Sequence, residues 1–212
     1  MPANERLLGF DIRQDASEYV DSFWDDANRQ IYLIRPNTEW PLSVDTMIWP
    51  SVFRYSSIVS SPKEDERIPV NTQVAANGLW FDLELMKSWF KEHTSGTERR
   101  GVPIAIHLFA EATITMEEFG SDVIDRKVRP SAPIAGSALL GFDVADSGRV
   151  SGLADCGYSS DDMGVLRPQW LPYLNEFGLL TSYANSLEFK ELSDSRVPEH
   201  APFYIYSLYR LP

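Results

Sequence analysis

The chain has 212 residues, 43% of them hydrophobic and 12% aromatic, with 31 Asp and Glu against 19 Lys and Arg. That length holds one large domain or two small ones, and the aromatic content excludes a disordered chain. A net charge of −12 and an isoelectric point of about 4.6 oppose direct contact with a phosphate backbone, so no nucleic-acid partner is expected.

A single cysteine closes no internal disulfide. The first residues lack a basic stretch leading into an apolar one, and no window carries about 18 unbroken apolar residues. A cytoplasmic protein that engages no membrane is the expectation.

In chain order, Leu7–Ile12 is a short apolar run and predicts an opening strand. Asp15–Ala27 places Ala16, Tyr19, Val20, Phe23 and Ala27 at helical spacing, with acids on the other face. Gln30–Ile34 predicts a strand, while Trp40–Val59 stays ambiguous because Pro41 and Pro50 limit any helix. Ser60–Pro69 is a charged loop. Leu79–His93 is the clearest helix, with Leu79, Leu83, Met86 and Phe90 on one face.

Val102–Ala110 is nearly continuous apolar sequence, as in a strand covered on both faces. Ser137–Val144 predicts another buried strand. Pro168–Gly178 predicts a helix with Pro at its start and Gly at its end, and Tyr183–Leu192 a second short helix. Pro202–Leu211 alternates aromatic and aliphatic residues and closes a sheet. Interleaved helices and strands predict an α+β (mixed α/β) fold, a single central mixed or antiparallel sheet with helices packed on it. No Pro- or Gly-rich linker divides the sequence, so one domain over 1–212 is expected.

Leu-Leu-Gly-Phe-Asp occurs twice, at Leu7–Asp11 and Leu139–Asp143. The flanks "IRQDASEYV" and "VADSGRVSG" share almost nothing, and a duplication should carry its hydrophobic rhythm further. Coincidence, or two similar strands meeting in one sheet, is the reading that follows.

The second copy leads into a Gly-rich, acidic stretch holding Asp143, Asp146, Asp155, Asp161 and Asp162. Their spacing matches no calcium loop, and His93, His107 and His200 form no zinc pattern, so no metal is expected. His107, inside an apolar strand, reads as a satisfied core histidine. No phosphate-binding glycine motif occurs, and no cofactor is expected. Cys156 with His200 and Asp194 or Glu199 would supply a cysteine hydrolase, but Asp155 beside the thiol raises its pKa and works against a thiolate.

Between Asp11 and Asp26 stand six acids and only Arg13. Like charges three and four apart weaken a helix, so a face built this way reads as either solvated or a docking surface for a cationic partner, with Trp24 as anchor.

The stretch "LLGFDVADSGRVSGLADCGY" with "RVPEHAPFYIY" resembles bacterial immunity proteins that neutralise polymorphic or secreted toxins. That resemblance implies a non-enzymatic protein that blocks a basic toxin domain acting in the cytoplasm. The expected surface is Glu18, Asp21, Trp24, Asp25 and Asp26 with Asp143, Asp146, Asp155, Asp161 and Asp162. The alternative is a hydrolase or metal-assisted enzyme that uses the Asp143–Asp162 carboxylates with Cys156 and His200.

Overall fold

The computed structural model describes residues 5–14, 42–46, 49, 51–52, 79–94, 101–109, 132–153 and 169–212. The expected helix Asp15–Ala27, strand Gln30–Ile34 and loop Ser60–Pro69 lie outside these residues, as does most of Trp40–Val59.

Among the described residues the strands are β1 (Glu5–Gln14), β2 (Gly101–Phe109), β3 (Ala138–Ala145) and β4 (Tyr204–Arg210). The helices are α1 (Leu83–Thr94) and α2 (Tyr183–Arg196), with a 3-10 turn at Leu171–Tyr173. The strands form one antiparallel sheet in the order β1-β2-β4-β3, so the fold is α+β. β4, the last strand of the chain, takes an inner place, which fits its nearly continuous burial. The chain divides into two compact units, Met1–Val20, Pro50–Ala138 and Tyr209–Pro212 in the first, Asp21–Trp49 and Leu139–Leu208 in the second.

In the first unit β1 and β2 pair from Glu5↔Phe109 to Gln14↔Gly101. The register slips between Leu7 and Gly9, where Leu8 is the extra residue of a β-bulge. Phe10, Ile12, Val52, Trp80, Met86, Ala105, Tyr209 and Leu211 form the core, and Leu83, Trp89 and Phe90 of α1 pack against it. The larger aliphatic and Phe side chains among them contribute about 1.5–3 kcal/mol each when fully buried.

Helix α1 starts four residues later than its apolar pattern suggests. Asp82 Oδ1 accepts from Leu85 N at 2.9 Å and so caps the first turn. Leu79 and Trp80 stay outside the helix because Trp80 makes a two-bond bridge with Phe10 of β1, at 2.7 and 2.8 Å.

In the second unit Ser182 caps α2 by accepting from Asn185 N at 3.2 Å. The helix runs four residues past the expected Leu192 and buries the narrow face Ser186, Phe189 and Ser193. Phe189 meets Trp170 edge-on, with centroids 4.9 Å apart.

The helix expected over Pro168–Gly178 is corrected to a single tight turn. Pro172 has no N–H to continue a ladder. Asn175 then takes over the backbone: its Oδ1 accepts from Phe177 N and Leu179 N at 3.0 and 3.1 Å. Leu174 bridges Leu180 across that turn, which makes the segment a hairpin. Among the described residues no helix is long and apolar enough to cross a membrane.

Candidate functional site

Among the described residues of the second unit, buried side-chain hydrogen bonds gather at the C-terminal end of β3. Asp143 points to the face opposite Phe142 and Val144, and because β3 is buried on both faces here its carboxylate lies inside as well. Fully buried, it is tolerable only if its oxygens are satisfied. Oδ1 accepts from Ser151 Oγ at 2.6 Å and from Val144 N at 2.9 Å. Oδ2 accepts from Ser43 Oγ and from Val44 N, the latter at 3.0 Å. The segment 42–46 is fastened further where Asp45 Oδ2 accepts from Ser151 N at 3.3 Å and Leu42 N reaches Phe177 O at 2.9 Å.

Beyond β3 the chain reverses tightly, with Ala145 bridging Ser151. Asp146 organises the reversal: its Oδ1 accepts from Val150 N at 2.9 Å, and its carbonyl accepts from Arg149 N at 3.0 Å. Arg149 is buried with φ of 68°, a left-handed conformation unusual for a side chain of that size.

Asp146 Oδ2 also takes a hydrogen bond from His200 Nδ1 at 2.8 Å, and the His200 side chain is 39% exposed. A carboxylate can only accept here, so Nδ1 carries the proton. Tyr206, fully buried in β4, donates its hydroxyl to Asp146 O at 2.8 Å. Burial pushes the Tyr206 phenol far above its ordinary range, so it stays protonated and serves as a donor. The cluster therefore presents a partly exposed imidazole oriented by a carboxylate, an arrangement suited to proton transfer.

His107 proves to be a core histidine of a different kind from the expected one. It is 1% exposed, and neither ring nitrogen has a hydrogen-bond partner among the described residues. Glu5 Oε1 lies 3.7 Å from Nδ1, and Tyr209 packs against the ring edge at 5.0 Å. Burial lowers the His107 pKa, opposed by the smaller attraction of Glu5.

The folded state thus resists a proton that the unfolded chain accepts below its ordinary pKa of about 6.5. Stability present above that pH is lost as pH falls through it, by up to about 1.4 kcal/mol per pH unit. We expect His107→Phe to flatten this slope between pH 7.5 and 5.5 in urea titrations. An unchanged slope would assign the acid sensitivity to other groups.

Of the expected surface residues, Glu18, Asp21, Trp24, Asp25, Asp26, Asp155, Asp161 and Asp162 lie outside the described residues, as does Cys156. Asp143 is corrected from surface to interior, because its carboxylate is completely buried and occupied by internal donors. Asp146 is mostly buried and reaches the surface through His200.

Asp194, which with Glu199 was one of the two carboxylates expected to orient His200, binds elsewhere. It binds Lys190 Nζ at 2.6 Å and accepts from Phe203 N at 2.7 Å, leaving the orienting role to Asp146. Ser43, Ser151, Arg149 and Tyr206 escaped notice in the sequence. Ser151 carried one usable signal, a small polar residue directly after the turn that follows an apolar strand ending in Asp. Among the described residues no three His, Cys, Asp or Glu side chains group closely enough to hold a metal ion. Compared with known proteins, the chain matches no family model, no curated protein and no solved structure.

Proposed function

We propose that the protein is a stoichiometric binding protein that neutralises a basic, cytoplasm-acting toxin by covering its active site with an acidic surface. Charge carries this reading: the net value is −12, and residues 15–26 hold Asp15, Glu18, Asp21, Asp25 and Asp26 with no Lys or Arg among them. Such a field speeds encounter with a cationic partner, and an aromatic centre such as Trp24 slows release. The sequence resemblance to toxin-neutralising immunity proteins points the same way. The surface comprises Glu18, Asp21, Trp24, Asp25 and Asp26 with Asp146, Asp155, Asp161 and Asp162; burial removes Asp143 from it.

The test captures partners from source-cell lysate on the immobilised protein and, in parallel, on the Glu18→Lys/Asp21→Lys/Asp25→Lys variant. One basic protein should be retained at equal stoichiometry, and the variant should bind it at least tenfold more slowly with an unchanged thermal transition. A partner bound by both at the same rate would remove this segment from the interface. No retained protein at low salt would count against the reading itself.

The Asp146–His200 pair favours a second reading, a hydrolase in which His200 moves a proton and Asp146 fixes its tautomer. Cys156 or an activated water would then be the nucleophile. Hydrolysis of ester or amide substrates, lost in both His200→Ala and Asp146→Asn, would support it. A turnover that survives both substitutions would end it.

A further inference from the structure

We infer that the chain is an internal duplication: residues 7–109 and 139–210 are two copies of one strand–bridge–helix–strand motif, and the first copy carries a 32-residue insertion. The repeated pentamer is the visible remnant of that event rather than an accident. It forms β1 in one unit and β3 in the other, and the same local construction surrounds it in both.

The aspartate comes first. Asp11 Oδ1 accepts from Ser51 Oγ at 2.6 Å and from the following amide, Ile12 N, at 2.8 Å. Asp143 Oδ1 accepts from Ser151 Oγ at 2.6 Å and from the following amide, Val144 N, at 2.9 Å. In both units the serine belongs to an isolated bridge with the residue two beyond the aspartate, Arg13↔Ser51 and Ala145↔Ser151.

The phenylalanine comes next. Phe10 exchanges two backbone hydrogen bonds with Trp80, and Phe142 exchanges two with Leu180. The glycine before it lies against the same partner strand in each case. A Cβ on Gly9 would meet Leu79 Cβ at 2.9 Å and Trp80 O at 2.9 Å; one on Gly141 would meet Leu179 Cβ at 2.6 Å and Leu180 O at 3.2 Å.

Two residues after the bridge stands the same kind of cap, and a helix begins at the next residue. Asp82 accepts from Leu85 N and Ser182 from Asn185 N, each through its side chain. The first helical bonds also coincide, Met86 N to Asp82 O and Ser186 N to Ser182 O, both at 3.1 Å. Each helix then leads to an inner strand of the sheet, β2 or β4.

The spacing is as informative as the contacts. From Ser51 to Met86 every counterpart lies 100 positions later, whereas in the pentamer it lies 132 later. The serine follows its aspartate by 40 residues in the first copy and by 8 in the second, a difference of 32. The extra length therefore falls between Gln14 and Ser51, at the place where the second copy makes its tight turn.

One contact also differs, and the insertion explains it. Asp11 Oδ2 is held by Arg13 Nε at 2.9 Å. At the corresponding position the second copy has Ala145, and Asp143 Oδ2 takes Ser43 and Val44 from the insertion instead. An unrelated pair of strands would have no reason to share bridge, cap, glycine contact and serine donor in one order, at two offsets that a single insertion relates. The inference rests on this architecture alone and stands or falls apart from the docking reading.

A substitution scan of the full chain, read by a folding reporter rather than by partner binding, tests it. The tolerance profile of residues 51–94 should match that of 151–194 best at an offset of 100, including positions 53–78 between the described anchors. Residues 7–13 should match 139–145 best at 132. Profiles that agree no better at these offsets than a few residues to either side would overturn the duplication. A best offset that stays at 132 beyond Ser51 would overturn the insertion.

Discussion

Replacing Asp143 by alanine is expected to lower the unfolding free energy by about 4 kcal/mol, as one of the largest single effects available in this chain. The carboxylate is completely buried and receives Ser43 Oγ, Val44 N, Ser151 Oγ and Val144 N. Its removal strands those donors in the interior, at about 1–3 kcal/mol for each one left unsatisfied, less whatever relaxation recovers. For a chain of this length the thermal midpoint should fall by roughly 10 °C. Asp143→Asn should cost about half as much. The two serine hydroxyls can turn and accept from the new amide, whereas the backbone N–H groups of Val44 and Val144 cannot reverse. Thermal and urea unfolding followed by tryptophan fluorescence would measure both; an alanine variant within about 1 kcal/mol of the wild type would show that the network contributes little.

Gly141→Ala is expected to cost about 3 kcal/mol or to prevent folding. Two independent penalties meet there. The backbone sits at φ of 145°, which side chains rarely adopt, and an added Cβ would lie 2.6 Å from Leu179 Cβ and 3.0 Å from Asn175 Nδ2. Asn175 cannot withdraw freely, because its Nδ2 donates to Leu140 O at 2.7 Å while its Oδ1 holds the turn at 177–179. Gly9→Ala meets a comparable crowd at 2.9 Å without a left-handed φ, and should be the milder of the two. Equal or reversed effects in unfolding experiments would show that crowding alone, without the dihedral, sets the cost.

The strands were the most legible part of this fold. Their runs at Leu7–Ile12, Val102–Ala110 and Ser137–Val144 are mostly apolar despite Gly9, Pro103 and Gly141, and α1 stood out by the spacing of Leu83, Met86 and Phe90. The start of α1 was hidden, because Leu79 and Trp80 extend the helical apolar pattern while their backbone belongs to a bridge with β1. The segment before Gly178 looked helical because Pro-first and Gly-last is the usual order for a helix, and the override came from the Asn175 side chain.

The candidate site was less legible. An aspartate at the end of an apolar run reads as the strand's exit to solvent, and the donors that hold Asp143 inside come from positions as distant as Ser43. The Asp146–His200 pair spans 54 residues, a separation that no spacing rule flags. The duplication was masked by its own insertion, which changes the offset right after the pentamer and makes the flanks look unrelated.

The chain lengths closed by the Asp143 network have a consequence for how the protein is made. The Ser151 contact closes 8 residues and the Ser43 contact closes 100. Three to four doublings of loop length add about 2 kcal/mol of closure entropy, so the near serine engages first and the far one completes the site. Synthesis runs the other way. At about 5–20 residues per second, Ser43 and Val44 are translated roughly 5–20 s before the carboxylate they are to meet. During that interval Leu42 and Val44, both buried in the finished molecule, wait on the nascent chain without Phe177 and Asp143, to which they later bond. These apolar side chains are thus exposed on the ribosome, and a chaperone that covers apolar nascent segments would find a substrate there.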